Sequence, residues 1–239
     1  MALAAGADKT GVASQLYYWH DTPMTIHAPV PDYAAARAQM VDAQLRPEGV
    51  GDPFVLAAMA AVPRERFVPE AVRPLAYGDR AVALGEGRQL MAPAALGLLL
   101  TRLGPRAGER ALVVGAGTGY SAALLAAIGL EMVALESAPA LAAAARDAGV
   151  AVIDGPLAAG HKRGGPYDLI LIDGAVEHVP EALTDQLADG GRLGAALLER
   201  GVSRLVVGRK AGGGFGLQSI ADAGVAALPG FERPRAFTF

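Results

Sequence analysis

Three alternate glycines stand between an apolar run and a helix-like run near the middle of the chain. Residues 111–114 favour a buried strand, Gly115, Gly117 and Gly119 follow, and residues 121–128 favour a helix. Glycine lets the backbone turn sharply and lets a ligand approach where a Cβ would clash. A helix start also offers free N–H groups to a polar ligand. The pattern therefore predicts a small-molecule site at a strand-to-helix turn, with a purely structural turn as the alternative.

The spacing of the glycines narrows the kind of ligand. A dinucleotide-binding turn needs G-x-G-x-x-G, whereas here the third glycine comes one residue early and Tyr120 stands where that fingerprint has its last glycine. The form G-x-G-x-G is typical of methyltransferases that use S-adenosylmethionine.

Acidic residues end the strands that are expected after this turn. Ligands of open parallel sheets bind at the carboxyl ends of the strands. Glu136 is predicted to accept hydrogen bonds from a ribose diol, and the alternative is a solvated acid at a strand end. Asp154 could accept from an adenine amino group, with Gly155 leaving room for the base, or could form a common Asp-Gly turn. Asp173 could line the site or cap the loop that follows it.

The composition excludes several classes of function. The 239 residues carry a net charge of −3, so the basic face that nucleic-acid binders usually show is not expected. The chain has no cysteine, which excludes disulfides, thiolate metal sites and a cysteine nucleophile. Its apolar runs are shorter than the ~20 residues of a membrane span, and the N-terminus has no secretion-signal pattern. We therefore expect a cytoplasmic protein without a membrane partner.

From residue 106 onward, predicted strands alternate with predicted helices. The strands are 111–114, 132–135, 150–153, 169–172, 192–198 and 202–208, and the helices between them are 121–128, 139–148 and 180–187. This alternation predicts an α/β fold with a doubly wound, mostly parallel sheet. A turn is expected at 212–214, and residues 231–239 are expected to return as a strand at the sheet edge.

Residues 32–105 are expected to pack onto this core as a helical cap within a single domain, 32–239. Asp52 is predicted to cap the second of the cap helices, and Pro63 and Pro69 bracket a non-helical RERFV. Residues 75–93 are predicted to form a long polar loop, a feature that often carries function. The predicted helices are 32–45, 53–62 and 93–103.

Residues 1–31 differ from the rest of the chain because their hydrophobic residues follow neither a helical nor a strand period for long. They mix Gly, Ser, Asp and Pro with an aromatic cluster at residues 17–19, and a coherent sequence begins soon after Met24. Met24 is one candidate for the natural start, and a loosely held or disordered extension is another interpretation. A third is that the aromatic cluster docks onto a partner.

The chain resembles the class I methyltransferases that use S-adenosylmethionine, and among them the protein-L-isoaspartate O-methyltransferase family. The matching stretches cover about residues 38–195 in the family's order. They are MVDAQLR at 40–46, VPRERFVPE at 62–70, AYGD at 76–79, the glycine turn with Tyr120, ALE at 134–136, PYDLILIDGA at 166–175, VP at 179–180 and QLADGGRL at 186–193.

The resemblance implies a Rossmann-like α/β fold and methyl transfer from S-adenosylmethionine, with S-adenosylhomocysteine as product and no metal. The acceptor it implies is the α-carboxylate of an isoaspartyl residue in a damaged protein or peptide. The residues implied in cofactor binding are Gly115, Ala116, Gly117, Thr118, Gly119, Glu136, Asp154, Gly155 and Asp173. The residues implied in substrate binding are Tyr77, Asp79, Arg88, Gln89 and Met91.

The sequence departs from the family at two places in this implied site. Where the family's acceptor loop has hydroxyl residues, this chain has Gln89 and Met91, and a methionine cannot donate a hydrogen bond to a carboxylate. Arg88 and Gln89 are candidates to replace the lost donors. Val113 stands where the family has an acidic residue that interacts with the methionine part of the cofactor. His178 is a further candidate, either catalytic or structural.

Three functions are consistent with these residues. The first is a methyltransferase acting on an isoaspartyl or related carboxylate. The second is a methyltransferase with a changed acceptor, such as a small molecule or another protein group. The third is a non-catalytic relative that binds an adenosine-containing ligand or a partner protein.

Overall fold

The computed structural model describes residues 5–7, 13–19, 22–26 and 31–233, and it divides the chain into two compact units, Met1–Asp32 and Tyr33–Phe239. In the first unit, β1 (Ala5–Ala7), β2 (Ala13–Trp19) and β3 (Thr22–Ile26) form an antiparallel sheet in that order. The sequence predicts no regular element here. The side chains of the aromatic cluster lie outside the described part of the structure.

The second unit is built on a seven-stranded sheet. Its strands are β6 (Arg110–Val114), β7 (Glu131–Glu136), β8 (Val152–Asp154), β9 (Tyr167–Val176), β10 (Leu187–Glu199), β11 (Val202–Ala211) and β12 (Gly214–Asp222). They lie in the order β12-β11-β10-β9-β6-β7-β8. Pairing is parallel from β8 to β10 and antiparallel from β10 to β12. The prediction of a mostly parallel, doubly wound sheet is confirmed.

Helices cover this sheet and precede it. They are α1 (Tyr33–Met40), α2 (Pro53–Ala61), α3 (Pro93–Leu103), α4 (Tyr120–Ile128), α5 (Pro139–Asp147) and the short α6 (Glu181–Thr184). A π-helical turn, Val41–Leu45, extends α1. Asp52 caps α2 as predicted, because its carboxylate accepts from the N–H groups of Phe54 and Val55. Among the described residues, no helix is both long enough and apolar enough to span a membrane.

The central strands are buried on both faces, which is why they are almost wholly apolar. Residues 169–172 of β9 are fully buried, and they alternate between two apolar clusters. Leu169 and Leu171 pack into the cluster that contains α3 and α4, whereas Ile170 and Ile172 pack into the cluster on the opposite face.

Arg192 on β10 ties the end of α3 to the sheet. Its guanidinium donates to the carbonyl oxygens of Leu103 (2.8 Å) and Gly104 (3.1 Å), groups that have no partner within the helix. It also makes two hydrogen bonds, each 2.8 Å, to the carboxylate of Glu109. Burial alone would raise the pKa of Glu109, but the hydrogen bonds and charges of Arg192 and Arg106 lower it overall. We call this arrangement the Arg192 clasp.

Two predicted irregular stretches have regular structure. RERFV is a 3₁₀-helix over Arg64–Phe67, followed by a second one, Glu70–Leu75. The flanking prolines exclude an α-helix but allow these tighter turns. The predicted loop 75–93 contains an antiparallel hairpin of β4 (Val82–Gly85) and β5 (Arg88–Leu90), in which buried and exposed residues alternate.

Two further predictions about the C-terminal third are wrong. The helix expected over 180–187 is only four residues long, and β10 begins at Leu187. The edge of the sheet next to β11 is formed by β12, which the sequence analysis missed, and residues 231–233 have no strand structure. The remaining part of that predicted strand, 234–239, lies outside the described residues.

Candidate active site

The glycine turn lies at the point where the chain reverses its direction across the sheet. After β6 the chain proceeds outward to β7 and β8 and then returns to β9 on the other side of β6. Gly115, Gly117 and Gly119 have φ values of 74°, 57° and 95°, a region that only glycine adopts readily. Ligands of open α/β sheets bind at such a reversal point, outside the carboxyl ends of the strands. The sequence-predicted turn therefore stands where a ligand site is expected.

Glu136 is fully buried at the end of β7, directly beside this turn. One carboxylate oxygen, Oε2, accepts from the N–H of Gly117 at 2.7 Å. The other, Oε1, accepts from the N–H groups of Ser137 (2.8 Å) and Ala138 (3.0 Å), where α5 begins. Three backbone N–H groups, two of them at the start of α5, therefore hold this side chain in one position.

Arg88 on β5 completes the surroundings of Glu136. Its Nη1 donates to Oε1 of Glu136 at 2.9 Å, and its Nη2 donates to the carbonyl oxygen of Gly115 at 2.7 Å. The two side chains are 5% and 0% exposed, so the ion pair is buried. A single guanidinium therefore joins the hairpin, the glycine turn and the end of β7. The family resemblance implies that Arg88 lies on the acceptor side, and no sequence pattern predicts its pairing with Glu136.

A second segment covers the turn from the C-terminal side. Residues 223–228, here called the strap, bond to the carboxyl end of β9. The N–H of Ala175 donates to Ala226 (2.8 Å), and the N–H of Leu228 donates to Ala175 (2.7 Å). Leu228 is buried against two glycines, because a Cβ added at Gly115 or Gly174 would come within 3.1 Å or 2.4 Å of its side chain. Nothing in the sequence pattern predicts the strap.

Arg88 and the strap leave little free space at the reversal point. A cavity of about 10 Å³ remains between them, lined also by Gln89, Met91, Asp173 and Gly174. That volume holds about one water molecule. In this arrangement, here called the closed form, the space between Arg88 and the strap admits nothing larger than about one water molecule.

Asp173 is a buried carboxylate that lines this cavity. It accepts a hydrogen bond of 2.5 Å from the hydroxyl of Ser121, at the start of α4. Burial raises the pKa of Asp173 to about 6, and the Ser121 hydrogen bond and the charges of Arg88 and Arg64 oppose this shift. Asp173 thus remains charged at neutral pH at a considerable cost in solvation, which is typical of functional sites.

Arg64 is a buried residue of this region to which the sequence analysis gave no role. It donates to the carbonyl oxygens of Ala76 and Met91, both at 2.7 Å, and its guanidinium carbon lies 4.9 Å from the centre of the Tyr120 ring. Burial lowers its pKa from the usual value for arginine. Its Nη1 has no hydrogen-bond partner in the described part of the chain. Arg64 therefore holds the end of the hairpin against α4. Its position within the family motif VPRERFVPE was the one sequence feature that could have pointed to a role for it.

Two of the remaining acceptor-side residues, Tyr77 and Asp79, have structural partners. The Tyr77 hydroxyl donates to Glu65 and accepts from Arg37 at 3.0 Å, and burial together with the Glu65 contact raises its pKa. Asp79 accepts from the N–H of Ala94 at 3.2 Å in the first turn of α3. Gln89 is exposed on β5, whereas Met91 is 3% exposed.

The other predicted cofactor-side residues lie around the turn but do not converge on the cavity. Thr118 is buried and donates to the carbonyl oxygen of Phe67 at 2.6 Å, and Ala116 is 2% exposed. Asp154 is 63% exposed and pairs with Arg146, while the N–H of Gly155 donates to the carbonyl of Glu136. Val113 is fully buried within β6, and Nδ1 of His178 is buried without a hydrogen-bond partner in the described residues.

The sheet order and the glycine turn at its reversal point define a class I methyltransferase of Rossmann-like type. Residues 36–217 match the family model described as Protein-L-isoaspartate(D-aspartate) O-methyltransferase. The chain belongs to this family, as its motifs predict.

Relatives and solved structures agree with this membership. The chain is 43% identical over 178 residues to a protein-L-isoaspartate O-methyltransferase of Methylorubrum extorquens (strain PA1), covering 72% of this chain and 78% of the relative. It is 38% identical to that of Methanoculleus marisnigri, covering 71% and 80%. A solved protein-L-isoaspartate O-methyltransferase has a TM-score of 0.73 at 22% identity, covering 81% of this chain and 66% of the other.

A second solved structure has the same fold. It is the Plasmodium falciparum protein described as a protein-L-isoaspartate O-methyltransferase in complex with S-adenosyl-L-homocysteine, with a TM-score of 0.71 at 22% identity, covering 80% of this chain and 97% of the other. The predicted fold and the predicted enzyme class, an S-adenosylmethionine-dependent O-methyltransferase, are confirmed.

Proposed function

We propose that this chain methylates the carboxylate of an isoaspartyl residue in a protein or peptide, using S-adenosylmethionine and releasing S-adenosylhomocysteine. The observation that carries the proposal is the position of Glu136, a buried carboxylate that accepts from the turn N–H of Gly117 at the reversal point of the sheet. The names of relatives at 38–43% identity support the same activity. A cytoplasmic location stays a prediction from the sequence.

The residues at the turn suit the chemistry of this cofactor. An ionised carboxylate is an acceptor only, which matches the two hydroxyls of a ribose. The negative charge of Asp173 suits a cationic sulfonium or ammonium group. The cavity of about 10 Å³ is far too small for a nucleoside. Cofactor binding therefore requires Arg88 and Leu228 to move from the closed positions described above.

Positioning supplies most of the acceleration in such a transfer. When bound, S-adenosylmethionine supplies an electrophilic methyl group. An acceptor carboxylate is already ionised at neutral pH and needs no general base, so the chain's residues have to hold and align the reactants. We assign Gly115–Gly119 and Glu136 to the nucleoside, Asp154 and Gly155 to the base, and Asp173 to the cationic part.

The hairpin and its supports form the acceptor side of the site. We assign Arg88 and Gln89 to the acceptor carboxylate, since both carry donors and both border the cavity. Tyr77 and Asp79 hold the chain that leads into the hairpin and α3, through Glu65 and Ala94. Met91 fills space and presents its carbonyl to Arg64.

Binding and transfer experiments test the proposal in turn. Calorimetry should show binding of both S-adenosylmethionine and S-adenosylhomocysteine, and labelled methyl should pass to an isoaspartyl peptide but not to the matching aspartyl peptide. The label should be released by base, as an ester is. A protein that binds neither nucleoside would exclude this function.

A matched pair of substitutions tests the role of Glu136. Glu136→Ala should weaken binding of S-adenosylhomocysteine by about 30-fold or more, because a buried charged hydrogen-bond partner is lost. Glu131→Ala is the control, since Glu131 is an exposed acid at the other end of β7, paired with Arg110. Equal affinities of the two variants would refute the ribose assignment.

A changed acceptor is the second candidate function. The observation that favours it is Met91, which is buried where the resemblance implies a hydroxyl donor. If the chain binds S-adenosylmethionine but leaves the isoaspartyl peptide unlabelled, a panel of small carboxylic acids becomes the next set of acceptors to assay.

A further inference from the structure

Arg88 occupies the place beside Glu136 that a ribose would need. Oε1 of Glu136 accepts from Arg88, Ser137 and Ala138, and Oε2 accepts from Gly117. The N–H groups of Ser137 and Ala138 belong to the start of α5, whereas Arg88 reaches Oε1 through a side chain, at 2.9 Å from a fully buried carboxylate. A ribose diol that approaches Glu136 therefore needs the space that the Arg88 guanidinium fills.

A displaced Arg88 requires a new anionic partner. It is 5% exposed, and a buried guanidinium without a counter-charge is strongly unfavourable. The nearby described acid is Asp173, whose charge interacts with that of Arg88 and whose carboxylate also accepts from Ser121. The same cavity is lined by Arg88, Gln89 and Asp173. Arg88 therefore remains next to the cavity when it leaves Glu136.

We propose that Arg88 is the specificity-determining residue for the acceptor carboxylate, and that the cofactor's ribose makes it available by taking its place on Glu136. A guanidinium presents two parallel N–H donors that match a carboxylate. The closed form hides these donors from an acceptor while the cofactor is absent. Cofactor binding consequently precedes acceptor binding. This inference rests on the proposed isoaspartyl methyltransferase function.

Two substitutions at position 88 separate binding from structure. Arg88→Met keeps the length and removes the charge, and Arg88→Lys keeps the charge but loses the planar fork. Arg88→Met should bind S-adenosylhomocysteine about tenfold more tightly than the wild type, because the competitor for Glu136 is gone. Its KM for the isoaspartyl peptide should rise about 30-fold or more, because the acceptor loses a paired charge. The KM of Arg88→Lys for the isoaspartyl peptide should lie between those of the wild type and Arg88→Met.

Arg110→Ala is the matched control, since Arg110 is exposed at the amino end of β6 and its side chain forms an ion pair with the exposed Glu131. This substitution should leave unchanged both the affinity for S-adenosylhomocysteine and the KM for the isoaspartyl peptide. If Arg88→Met damaged the fold, the variant would bind both the nucleoside and the peptide more weakly. The proposal instead requires tighter binding of the nucleoside and a higher KM for the peptide.

The outcomes distinguish this inference from the proposed function. A wild type that transfers methyl while Arg88→Met shows no gain in nucleoside affinity and no change in KM overturns the role of Arg88 alone. A wild type that binds no nucleoside overturns both. Acceptor binding to the wild type in the absence of any nucleoside, seen by calorimetry with the isoaspartyl peptide, would refute the order of binding.

Discussion

Asp173 shows how one side chain couples the stability of the fold to its chemistry. Its pKa is raised to about 6 in the folded protein, mainly by burial, against an ordinary value of 3.8. A carboxyl group with a raised pKa stabilises the fold below its ordinary pKa, and that stabilisation is lost as pH rises through the folded value. The fold should therefore lose stability between about pH 4 and pH 6.

We expect Asp173→Asn to be more stable than the wild type at pH 8 by about 1–3 kcal/mol, because the neutral amide avoids the solvation cost of the charge. The difference in the free energy of unfolding should fall towards zero near pH 4, where the wild-type carboxyl is protonated. Urea unfolding at several pH values measures it. A difference that is independent of pH would show that Asp173 does not titrate in this range.

The same variant reports on the role of Asp173 in binding. If the carboxylate faces the sulfonium, Asp173→Asn should weaken the binding of S-adenosylmethionine about tenfold more than that of S-adenosylhomocysteine, because the latter lacks the positive charge. Calorimetry with both nucleosides gives the ratio, and Ser121→Ala, which leaves the carboxylate in place, is the control. Equal losses for the two nucleosides would move Asp173 away from the sulfonium.

At the residue scale, the positions of site residues are easier to predict from sequence than their hydrogen-bond partners. The glycines and Glu136 could be predicted because a strand, a turn and a strand-end acid follow one another within 26 residues, 111–136. The pairing of Arg88 with Glu136 spans 48 positions and depends on how the hairpin folds back, which no local pattern encodes. Arg64 was missed for the same reason, since its carbonyl partners lie 12 and 27 residues away.

Among the secondary-structure elements, α3 and β10 depend on the Arg192 clasp. Both side chains of the ion pair with Glu109 are largely buried, at 13% and 21% exposure. The guanidinium also satisfies two carbonyl oxygens at the end of α3. Its loss would remove two hydrogen bonds from Glu109, which would keep the one from the N–H of Arg106, and would take a side-chain donor from two carbonyl oxygens at the end of α3.

We expect Arg192→Met to lower the free energy of unfolding by about 2–3 kcal/mol, since partly buried charge-assisted hydrogen bonds are lost. Arg110→Ala, which removes an exposed ion pair, should cost no more than about 0.5 kcal/mol. Chemical denaturation of both variants provides the comparison. Similar values for the two would show that the clasp contributes little.

The elements that could not be predicted have only a weak alternation of apolar and polar residues. Strand β12 is mostly exposed and contains two glycines, so it lacks the apolar alternation of a core strand. Its register is set by the tight turn at Gly212 and Gly213, whose φ values of 56° and 82° suit a two-residue hairpin. The turn was predicted, but the strand beyond it depends on pairing with β11 rather than on its own composition.

At the scale of the whole molecule, the closed form predicts that ligand binding will expose part of the backbone to solvent while it protects another part. Binding that displaces the strap should break the hydrogen bonds of Leu228 and Ala175. In hydrogen exchange, the amides of Leu228 and Ala175 should exchange faster with saturating S-adenosylhomocysteine, whereas those of Gly117 and Ala138 should be protected. Val206, in the paired centre of β11, serves as the internal reference. Slower exchange in the strap would mean that the ligand binds without displacing it.

If the strap has to open before the cofactor binds, its stability also sets the nucleoside concentration at which the site fills. Two backbone hydrogen bonds with Ala175, three hydrogen bonds between Ser203 and residues 223 and 225, and the buried side chain of Leu228 hold the strap in place. Suppose that the closed position is favoured by a net free energy of about 2 kcal/mol, the contribution of about two ordinary hydrogen bonds. About one molecule in 30 would then be open at a given moment, and the apparent dissociation constant would exceed that of the open form by the same factor. Occupancy would consequently follow changes in nucleoside concentration over a range in which an open site would already be saturated.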